Sequence, residues 1–298
     1  MIAQFKAFLF SCLASLAGIA EAVPPPVAQL RPPAVPLVTC DPYFSVWSFA
    51  NRLTDDTTRH WTGASNALEG LVRIDGKAYR ILRVEPKKIL ALSQVGLEVL
   101  PTRTIYKFEG QGVRITLTFA TPLLASDLDV LSRPVTYLTW QVESTDNKQH
   151  AVSLYYDTSA ELVVNKPEQS VVWSREKFGR LTALKMGSRQ QPILAKSGDN
   201  LRIDWGYLYV AALAKVSVRQ VISSAHSAQE QFVANGTLAS TDDLRMPRAA
   251  DDDRLVMAFA LDLGKVGAEP VSRHLLLAYD DLYSIEYFHH RLRPYWRR

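Results

Sequence analysis

The chain has 298 residues, of which 47% are hydrophobic and 10% aromatic, enough apolar material for one or two domains with a substantial core. The formal net charge is +4, and the four arginines after residue 290 carry all of it, which leaves 30 basic and 30 acidic side chains before them. Basic residues are not gathered with aromatics along one face, so the sequence does not predict a nucleic-acid partner.

The first 22 residues have the pattern of a secretory signal. Residues 7–20 are apolar but too few to span a bilayer as a helix, and Ala20-Glu21-Ala22 is a small-x-small cleavage site. The predicted mature chain keeps one cysteine, Cys40, so it cannot form an intramolecular disulfide. The sequence therefore predicts a secreted or periplasmic protein with no membrane role after signal cleavage.

Residues 23–36 contain six prolines and predict an extended lead-in. From there to residue 280 the pattern is mostly β. Asp75-Gly76 separates two alternating runs, which is a strong hairpin signal. Apolar residues also alternate over residues 113–119 and again over residues 138–142. Strands recur every ten to fifteen residues with turn chemistry between them, which is typical of an antiparallel β-sandwich.

The last eighteen residues predict an amphipathic helix over residues 281–298. Pro294 is expected to kink or end it. An apolar helix face is stable only when it is covered, so this helix is expected to pack against something. The apolar residues that recur three or four apart are Leu282, Ile285, Phe288, Leu292 and Tyr295.

The densest polar cluster is the segment from Asn51 to Gly63. Carboxylates and a guanidinium supply directional hydrogen bonds, and a tryptophan supplies a flat apolar surface, so the segment is a candidate site for a sugar or an amino acid. A loop whose aspartates cap a turn and whose tryptophan packs in the core is the alternative. The candidate substrate-binding residues are Asp55, Asp56, Arg59, His60 and Trp61.

Asp157 and Glu161 are candidate catalytic residues, because general acid–base hydrolysis uses two carboxyl groups at a defined separation. Four residues along a strand exit do not fix that separation, so a structural role is the alternative. The sequence carries no recognised nucleophile, phosphate-binding or metal-binding motif. It therefore predicts neither a metal site nor a cofactor.

Five stretches carry a resemblance to a known family. Two of them, "PPAVPLVTCDPYFSVWSFANRLTDDTTRHWTGA" and "LVRIDGKAYRI", resemble the N-terminal region of the secreted glutaminase A family. The other three, "PVTYLTWQVESTDNKQHAVSLYYDTSAEL", "RIDWGYLYVA" and "LLLAYDDLYSIEYFHHRLRPYW", are similar to its next region. The resemblance implies an N-terminal region over residues 37–100, a supersandwich-like β-sandwich domain over 101–280 and a connector helix over 281–298. It also implies hydrolysis of L-glutamine to L-glutamate and ammonia by the full-length family.

The resemblance further implies an α/α-toroid domain after the sandwich, and this chain stops where the family would enter it. We therefore expect a truncated, non-catalytic part of a glutaminase-like amidohydrolase, with its own C-terminal helical domain as partner if one is present. One alternative is an exported carbohydrate-binding or carbohydrate-processing module that uses Trp61 and the aromatic strands around Trp173 and Trp205. A complete small hydrolase centred on Asp157 and Glu161 is a further alternative.

Overall fold

A computed structural model describes residues 31–215 and 217–298, which form one compact unit whose regular secondary structure is mostly β-strand. Besides the strands, the unit contains α1 (Leu128–Leu131), α2 (Ala225–Asn235) and 3₁₀ turns at Ala160–Val163, Asp252–Arg254 and Tyr295–Arg297. The strands in chain order are β1 (Val35–Asp41), β2 (Phe44–Ser48), β3 (Leu68–Ile74), β4 (Lys77–Leu82), β5 (Ser93–Leu100), β6 (Arg103–Gly110), β7 (Val113–Ala120), β8 (Val135–Ser144), β9 (His150–Ser159), β10 (Ser170–Phe178), β11 (Leu181–Ser188), β12 (Tyr207–Leu213), β13 (Val218–Ser224), β14 (Arg248–Ala249), β15 (Leu255–Val266), β16 (Val271–Asp280), β17 (Ile285–Tyr287) and β18 (His290–Leu292).

Two antiparallel sheets pack face to face. The large sheet has nine strands in the order β14-β10-β11-β12-β16-β8-β7-β6-β5, and the small sheet has five in the order β13-β15-β9-β3-β4. Their facing side chains form one continuous core, in which the rings of Trp140 from β8 and Tyr156 from β9 lie 5.8 Å apart. The predicted mostly-β, antiparallel sandwich is confirmed.

The alternation seen in the sequence sets which side chains enter this core. In β7 every second residue from Val113 to Phe119 is buried, while the residues between them are partly exposed. In β8, Leu138, Trp140 and Val142 are buried in the same way. Since successive side chains of a strand point to opposite faces, these two strands bury one face of the large sheet.

The predicted hairpin at Asp75-Gly76 is present and joins β3 to β4. Both turn residues have positive φ, 46° and 89°, as a two-residue type I′ turn requires. The Asp75 side chain also accepts a hydrogen bond from the backbone N–H of Ala151 at 2.8 Å, so the turn is attached to β9.

Helix α2 was not predicted from the sequence. Its start is capped by the Ser224 hydroxyl, which accepts a hydrogen bond from the backbone N–H of Ser227 at 3.3 Å. Its end is capped by Gly236 at φ 75°, so the Asn235-Gly236 turn signal marks a helix C-terminus. The helix covers the outer face of the small sheet, where Phe232 packs 5.4 Å from the ring of Tyr155.

The predicted helix over residues 281–298 is wrong. The segment forms the short hairpin β17–β18, followed by one 3₁₀ turn. Phe288 and His289 both have positive φ, 45° and 65°, which makes a two-residue hairpin turn and is incompatible with a right-handed helix. Pro294 then prevents a helix from continuing past the hairpin.

The two regions predicted over residues 37–100 and 101–280 interleave in space. Strands β3 and β4 belong to the same sheet as β9, β13 and β15, while β5 forms one edge of the large sheet. The signal over residues 1–22 and most of the proline-rich lead-in over 23–36 lie outside the described residues. Within the described part of the chain, no helix is long and apolar enough to cross a bilayer.

Candidate functional site

The predicted binding loop from Asn51 to Gly63 follows β2 and is tied by its own hydrogen bonds. Arg59 donates to both carboxylate oxygens of Asp56 at 3.3 Å, and the two side chains are 38% and 43% exposed. The backbone N–H of Asp55 donates to the carbonyl of Arg52 at 3.0 Å, while its side chain is exposed. Because exposed ion pairs contribute little free energy, this part of the loop is a solvated turn.

His60 and Trp61 face different environments. His60 is fully buried, its Nδ1 lies 3.0 Å from the Thr62 hydroxyl, and burial together with the Arg202 charge lowers its pKa to about 4. Trp61 is 46% exposed, and its indole N–H donates to the Pro42 carbonyl at 2.9 Å. Of the five predicted binding residues, Trp61 is therefore the one that offers a flat apolar surface to a ligand.

Arg202 is a buried cation that the sequence did not single out. Its guanidinium donates to the carbonyls of Ser65 at 2.9 Å, Glu161 at 3.3 Å and Asn165 at 2.9 Å. Burial lowers its pKa, and the nearby Glu161 charge opposes that effect. Arg202 thus joins the end of the binding loop to the 3₁₀ turn that carries Glu161, so the two predicted sites meet through it.

Asp157 lies opposite Glu69 in the register of β9 and β3, and both side chains are buried, at 1% and 0% exposure. Within the described residues no hydrogen bond or ion pair joins Asp157 to Glu161. Glu69 is the acidic residue that lies next to Asp157 across the strand register. Its carboxyl group sits on the outer face of the small sheet, under α2.

Asp157 receives two hydrogen bonds through one oxygen. The Tyr155 hydroxyl donates to Oδ2 at 2.7 Å, and the Gln229 amide of α2 donates to the same atom at 3.4 Å. The other oxygen, Oδ1, is buried and has no hydrogen-bond partner. Burial raises the pKa of Asp157, against the Tyr155 hydrogen bond and the charge of Arg83, which lower it.

Glu69 has arginines on one side and Asp157 on the other. Arg83 Nη1 lies 3.2 Å from Glu69 Oε2, and Arg254 Nη2 lies 3.9 Å from the same oxygen. Glu69 Oε1 is buried without a partner. Burial and then the Asp157 charge raise the pKa of Glu69 well above its ordinary value. Two adjacent buried carboxyls of this kind favour holding one proton between them.

Family models match almost the whole predicted mature chain. Residues 102–298 match a family described as a domain of unknown function, DUF5127, and residues 21–93 match a second, DUF4964. The chain belongs to the DUF5127 family. Residues 94–101 separate the two matches.

Two curated relatives of this DUF5127 protein carry the name glutaminase. Glutaminase A of Aspergillus oryzae is 28% identical over 273 residues, which cover 88% of this chain and 39% of the relative. A probable glutaminase of Arthroderma benhamiae is 24% identical over 277 residues, covering 82% of this chain and 30% of the relative. The resemblance to the glutaminase A family is confirmed, and the DUF5127 protein spans less than half the length of either relative.

The solved structures that match this chain are distant. Heparan sulfate lyase HepC from Pedobacter heparinus matches with a TM-score of 0.31 and 7% identity over 64% of this chain and 22% of that chain. A putative aldose 1-epimerase from Escherichia coli K12 matches with a TM-score of 0.30 and 9% identity over 83% of each chain.

The remaining side chains noted in the sequence, Trp205, Trp173 and Cys40, have structural rather than ligand-binding surroundings. Trp205 is 5% exposed, and its indole N–H donates to the Tyr283 carbonyl at 3.1 Å, so it cannot serve as a sugar platform. Trp173 is partly exposed and donates to the Asp243 carbonyl at 3.2 Å. Burial raises the pKa of Cys40 to about 12, so its thiol is not activated. In the described ranges, no three His, Cys, Asp or Glu side chains are grouped closely enough to hold a metal ion.

Sequence reasoning missed Glu69 and Arg202 for different reasons. Glu69 interrupts the apolar run "LEGLVRI" of β3, and a charged residue inside a buried strand is a readable signal for a buried polar site. Arg202 lies in an irregular segment with no periodicity, so nothing local in the sequence marks it as buried. The assignment of Asp157 and Glu161 as catalytic residues stays a prediction.

Proposed function

We propose that this chain is the β-sandwich part of a secreted glutaminase-family amidohydrolase, and that it does not hydrolyse glutamine by itself. In the whole protein the reaction would convert L-glutamine to L-glutamate and ammonia. The names of the curated relatives support the family and the substrate. Export, through the signal predicted over residues 1–22, is part of the proposal.

The observation that carries the proposal is the burial of the Glu69–Asp157 pair. A hydrolase needs its acid and base within hydrogen-bond reach of a bound substrate. These two carboxyls lie beneath α2 at 0% and 1% exposure, with a tyrosine and a glutamine on one side and two arginines on the other. An amino acid as large as glutamine has no path to them in this arrangement.

The exposed apolar side chains of the β17–β18 hairpin support a sandwich that contacts another domain. The β17–β18 hairpin exposes Ile285, Tyr287 and Phe288 at 54%, 61% and 76%, and all six of its strand residues are exposed. Exposed apolar groups gathered on one element are typical of interaction surfaces. In the proposal this hairpin, rather than the predicted helix, contacts the family's helical domain.

The test is ammonia release from L-glutamine by the purified chain, with circular dichroism to show that it is folded. The expected result is a folded β protein that releases no ammonia above a heat-inactivated sample. A folded and active chain would overturn the proposal. In that case Asp157→Asn, Glu161→Gln and Asp55→Asn would show which carboxyl group carries the activity.

One observation favours the alternative function of an exported carbohydrate-binding module. The indole of Trp61 is 46% exposed beside the Asp56–Arg59 pair, a flat apolar surface next to directional hydrogen-bonding groups. This reading predicts retention on immobilised polysaccharide that is lost in Trp61→Ala without loss of folding. Phe178→Ala is the matched control, because Phe178 is 52% exposed and lies on β10, away from the loop. Equal retention of all three proteins, or none, counts against it.

A further inference from the structure

Helix α2 and the small sheet enclose a second core that is separate from the main one. Its apolar members include Leu71 on β3, Tyr155 on β9, Phe232 on α2 and Val256 on β15. Within these layers Glu69 and Asp157 are neighbours across two strands. The helix therefore rests partly on apolar contacts and partly on a pair of buried carboxyl groups.

Polar or charged side chains from four neighbouring segments lie close to the Glu69–Asp157 pair. Strand β9 contributes the Tyr155 hydroxyl, and α2 contributes the neutral amide of Gln229. Arg83, after β4, reaches Glu69 at 3.2 Å and its side chain is 12% exposed. Arg254, before β15, is 3.9 Å from Glu69, and its side chain is half exposed.

The hydrogen-bond arrangement is incomplete if both carboxyls are ionised. Glu69 Oε1 and Asp157 Oδ1 are both buried without a partner, although each could accept a hydrogen bond. If one of the two carboxyl groups is protonated, its O–H can donate a hydrogen bond to the other across the paired strands β3 and β9. Removing that proton would leave two adjacent negative charges in a low-dielectric layer, where Arg83 pairs closely with Glu69 and the half-exposed Arg254 contributes less.

We propose that Glu69 and Asp157 share a proton while α2 is docked, and that loss of this proton as the pH rises loosens α2 from the small sheet. The Gln229 amide is the direct link, because it is the group on α2 that binds the Asp157 carboxyl. The pair thus acts as a pH-sensitive device that sets how firmly one helix is held.

The direction of the effect follows from the linkage between proton binding and stability. Burial raises the pKa of both carboxyls above their unfolded values of 3.8 and 4.5. A group with a raised folded-state pKa contributes stability that is fully present below its unfolded pKa and is lost as the pH rises through its folded pKa. The docked helix is therefore favoured at acidic pH and weakened at alkaline pH.

A movement of α2 would change the surface beside it. A polar groove of about 750 Å³ is lined by Gln231 of α2, by residues 237–241 that follow the helix, and by Arg219 and Gln220 of β13. A neighbouring groove of about 450 Å³ shares Arg219 and Thr237 with it. Loosening the helix would therefore alter both grooves, while the main core between the two sheets stays closed.

The first test is hydrogen exchange of the α2 amides at about pH 5 and pH 8, corrected for the intrinsic dependence of exchange on pH. In the wild-type chain we expect protection of residues 229–235 to fall at least tenfold relative to the amides of β7 as the pH rises. Glu69→Gln removes the titrating group and keeps its shape, so this fall should disappear. Glu168→Gln is the control, because Glu168 is exposed and, within the described residues, forms no hydrogen bond or ion pair with Glu69 or Asp157.

Equal loss of protection in the wild-type chain and in Glu69→Gln would overturn the proposal. If Glu69→Gln does not fold, Asp157→Asn is measured in the same way. A further measurement needs no variant: the infrared carbonyl band of a protonated carboxyl should be present in the wild-type chain at neutral pH and vanish on alkaline titration. Absence of that band at neutral pH would also overturn it.

Discussion

Arg202 shows how a single buried residue can organise a site. Its guanidinium satisfies three backbone carbonyls from two separate segments while it remains 6% exposed. No carboxylate is paired with it by a hydrogen bond in the described chain. The cation is instead stabilised by neutral acceptors, so it holds the binding loop and the Glu161 turn in one arrangement.

Replacing Arg202 by Met should destabilise the protein by about 3 kcal/mol, because buried carbonyls lose their donors and a well-packed side chain is changed. Denaturant unfolding followed by tryptophan fluorescence measures this. Arg180→Met is the control, since Arg180 is exposed. A loss below about 1 kcal/mol would mean that water replaces the guanidinium without much cost.

His150, the first residue of β9, forms a second polar link, which joins two hairpin turns. Its Nδ1 lies 2.7 Å from Asp75 and its Nε2 lies 3.0 Å from Asp146, so it joins the β3–β4 turn to the β8–β9 turn. The hydrogen bonds to these aspartates raise the pKa of His150, and His150 in turn lowers the pKa of Asp146 to about 2.

The stabilising effect of His150 should depend on pH in a defined window. The raised histidine pKa gives stability that is lost as the pH rises from 6.5 through the folded value. The lowered aspartate pKa gives stability that is present above 3.8 and lost as the pH falls toward about 2. The difference in Tm between the wild type and His150→Gln should therefore be largest near pH 5.5 and small near pH 9.

The matched control for His150 is His226→Gln, because His226 is 75% exposed in its pair with Glu230 on α2. Its Tm should follow that of the wild type at every pH. A constant difference between wild type and His150→Gln from pH 5.5 to pH 9 would show that the histidine acts through packing rather than charge.

At the scale of elements, the strands could be predicted and the helices could not. Alternation over β7 and β8 is regular because each strand has one face on the core, so the sequence pattern reports burial directly. Helix α2 is short and has small residues on its buried side, among them Ala225 and Ala228, so its apolar periodicity is weak. Its Gly236 cap was visible in the sequence but fits a hairpin turn equally well.

The helix prediction for residues 281–298 failed for a different reason. Residues spaced three and four apart can also lie on a short hairpin when a turn falls between them, and here the turn consists of Phe288 and His289. Neither residue is a typical hairpin-turn residue. The backbone conformation was therefore not readable from the usual Asn-Gly or Asp-Gly signal.

Changing the turn to Asn-Gly, with Phe288→Asn and His289→Gly, should stabilise the β17–β18 hairpin. Both residues adopt positive φ at little cost, as this turn requires. Cross-strand nuclear Overhauser effects between Ile285 and Leu292 should become stronger, since these residues are paired in the hairpin. Helical chemical shifts over residues 285–292 in the wild type would contradict the hairpin.

At the scale of the whole molecule, the most exposed apolar element is the β17–β18 hairpin. We expect the isolated chain to self-associate as its concentration rises, because water-exposed apolar area is buried in the contact. Sedimentation velocity over a hundredfold range of concentration measures this. A monodisperse monomer throughout would contradict the expectation.

The double variant Ile285→Thr, Tyr287→Thr should shift the chain toward monomer, since both side chains are more than half exposed. Threonine keeps the strand propensity of these positions, so the hairpin is retained. Leu90→Thr is the matched control, because Leu90 is 72% exposed elsewhere on the surface. Association reduced equally by both changes would place the contact outside the hairpin.

The strand order of the two sheets has a kinetic consequence. In the small sheet β9 pairs with β3 on one side and β15 on the other, and in the large sheet β16 is inserted between β12 and β8. Pairings this far apart in sequence form slowly, because a long loop must close before each contact is made. During synthesis the small sheet cannot be completed before Val266 and the large sheet cannot be completed before Asp280. The core between the two sheets therefore stays open for most of translation, so the export that we propose would begin before that core has closed.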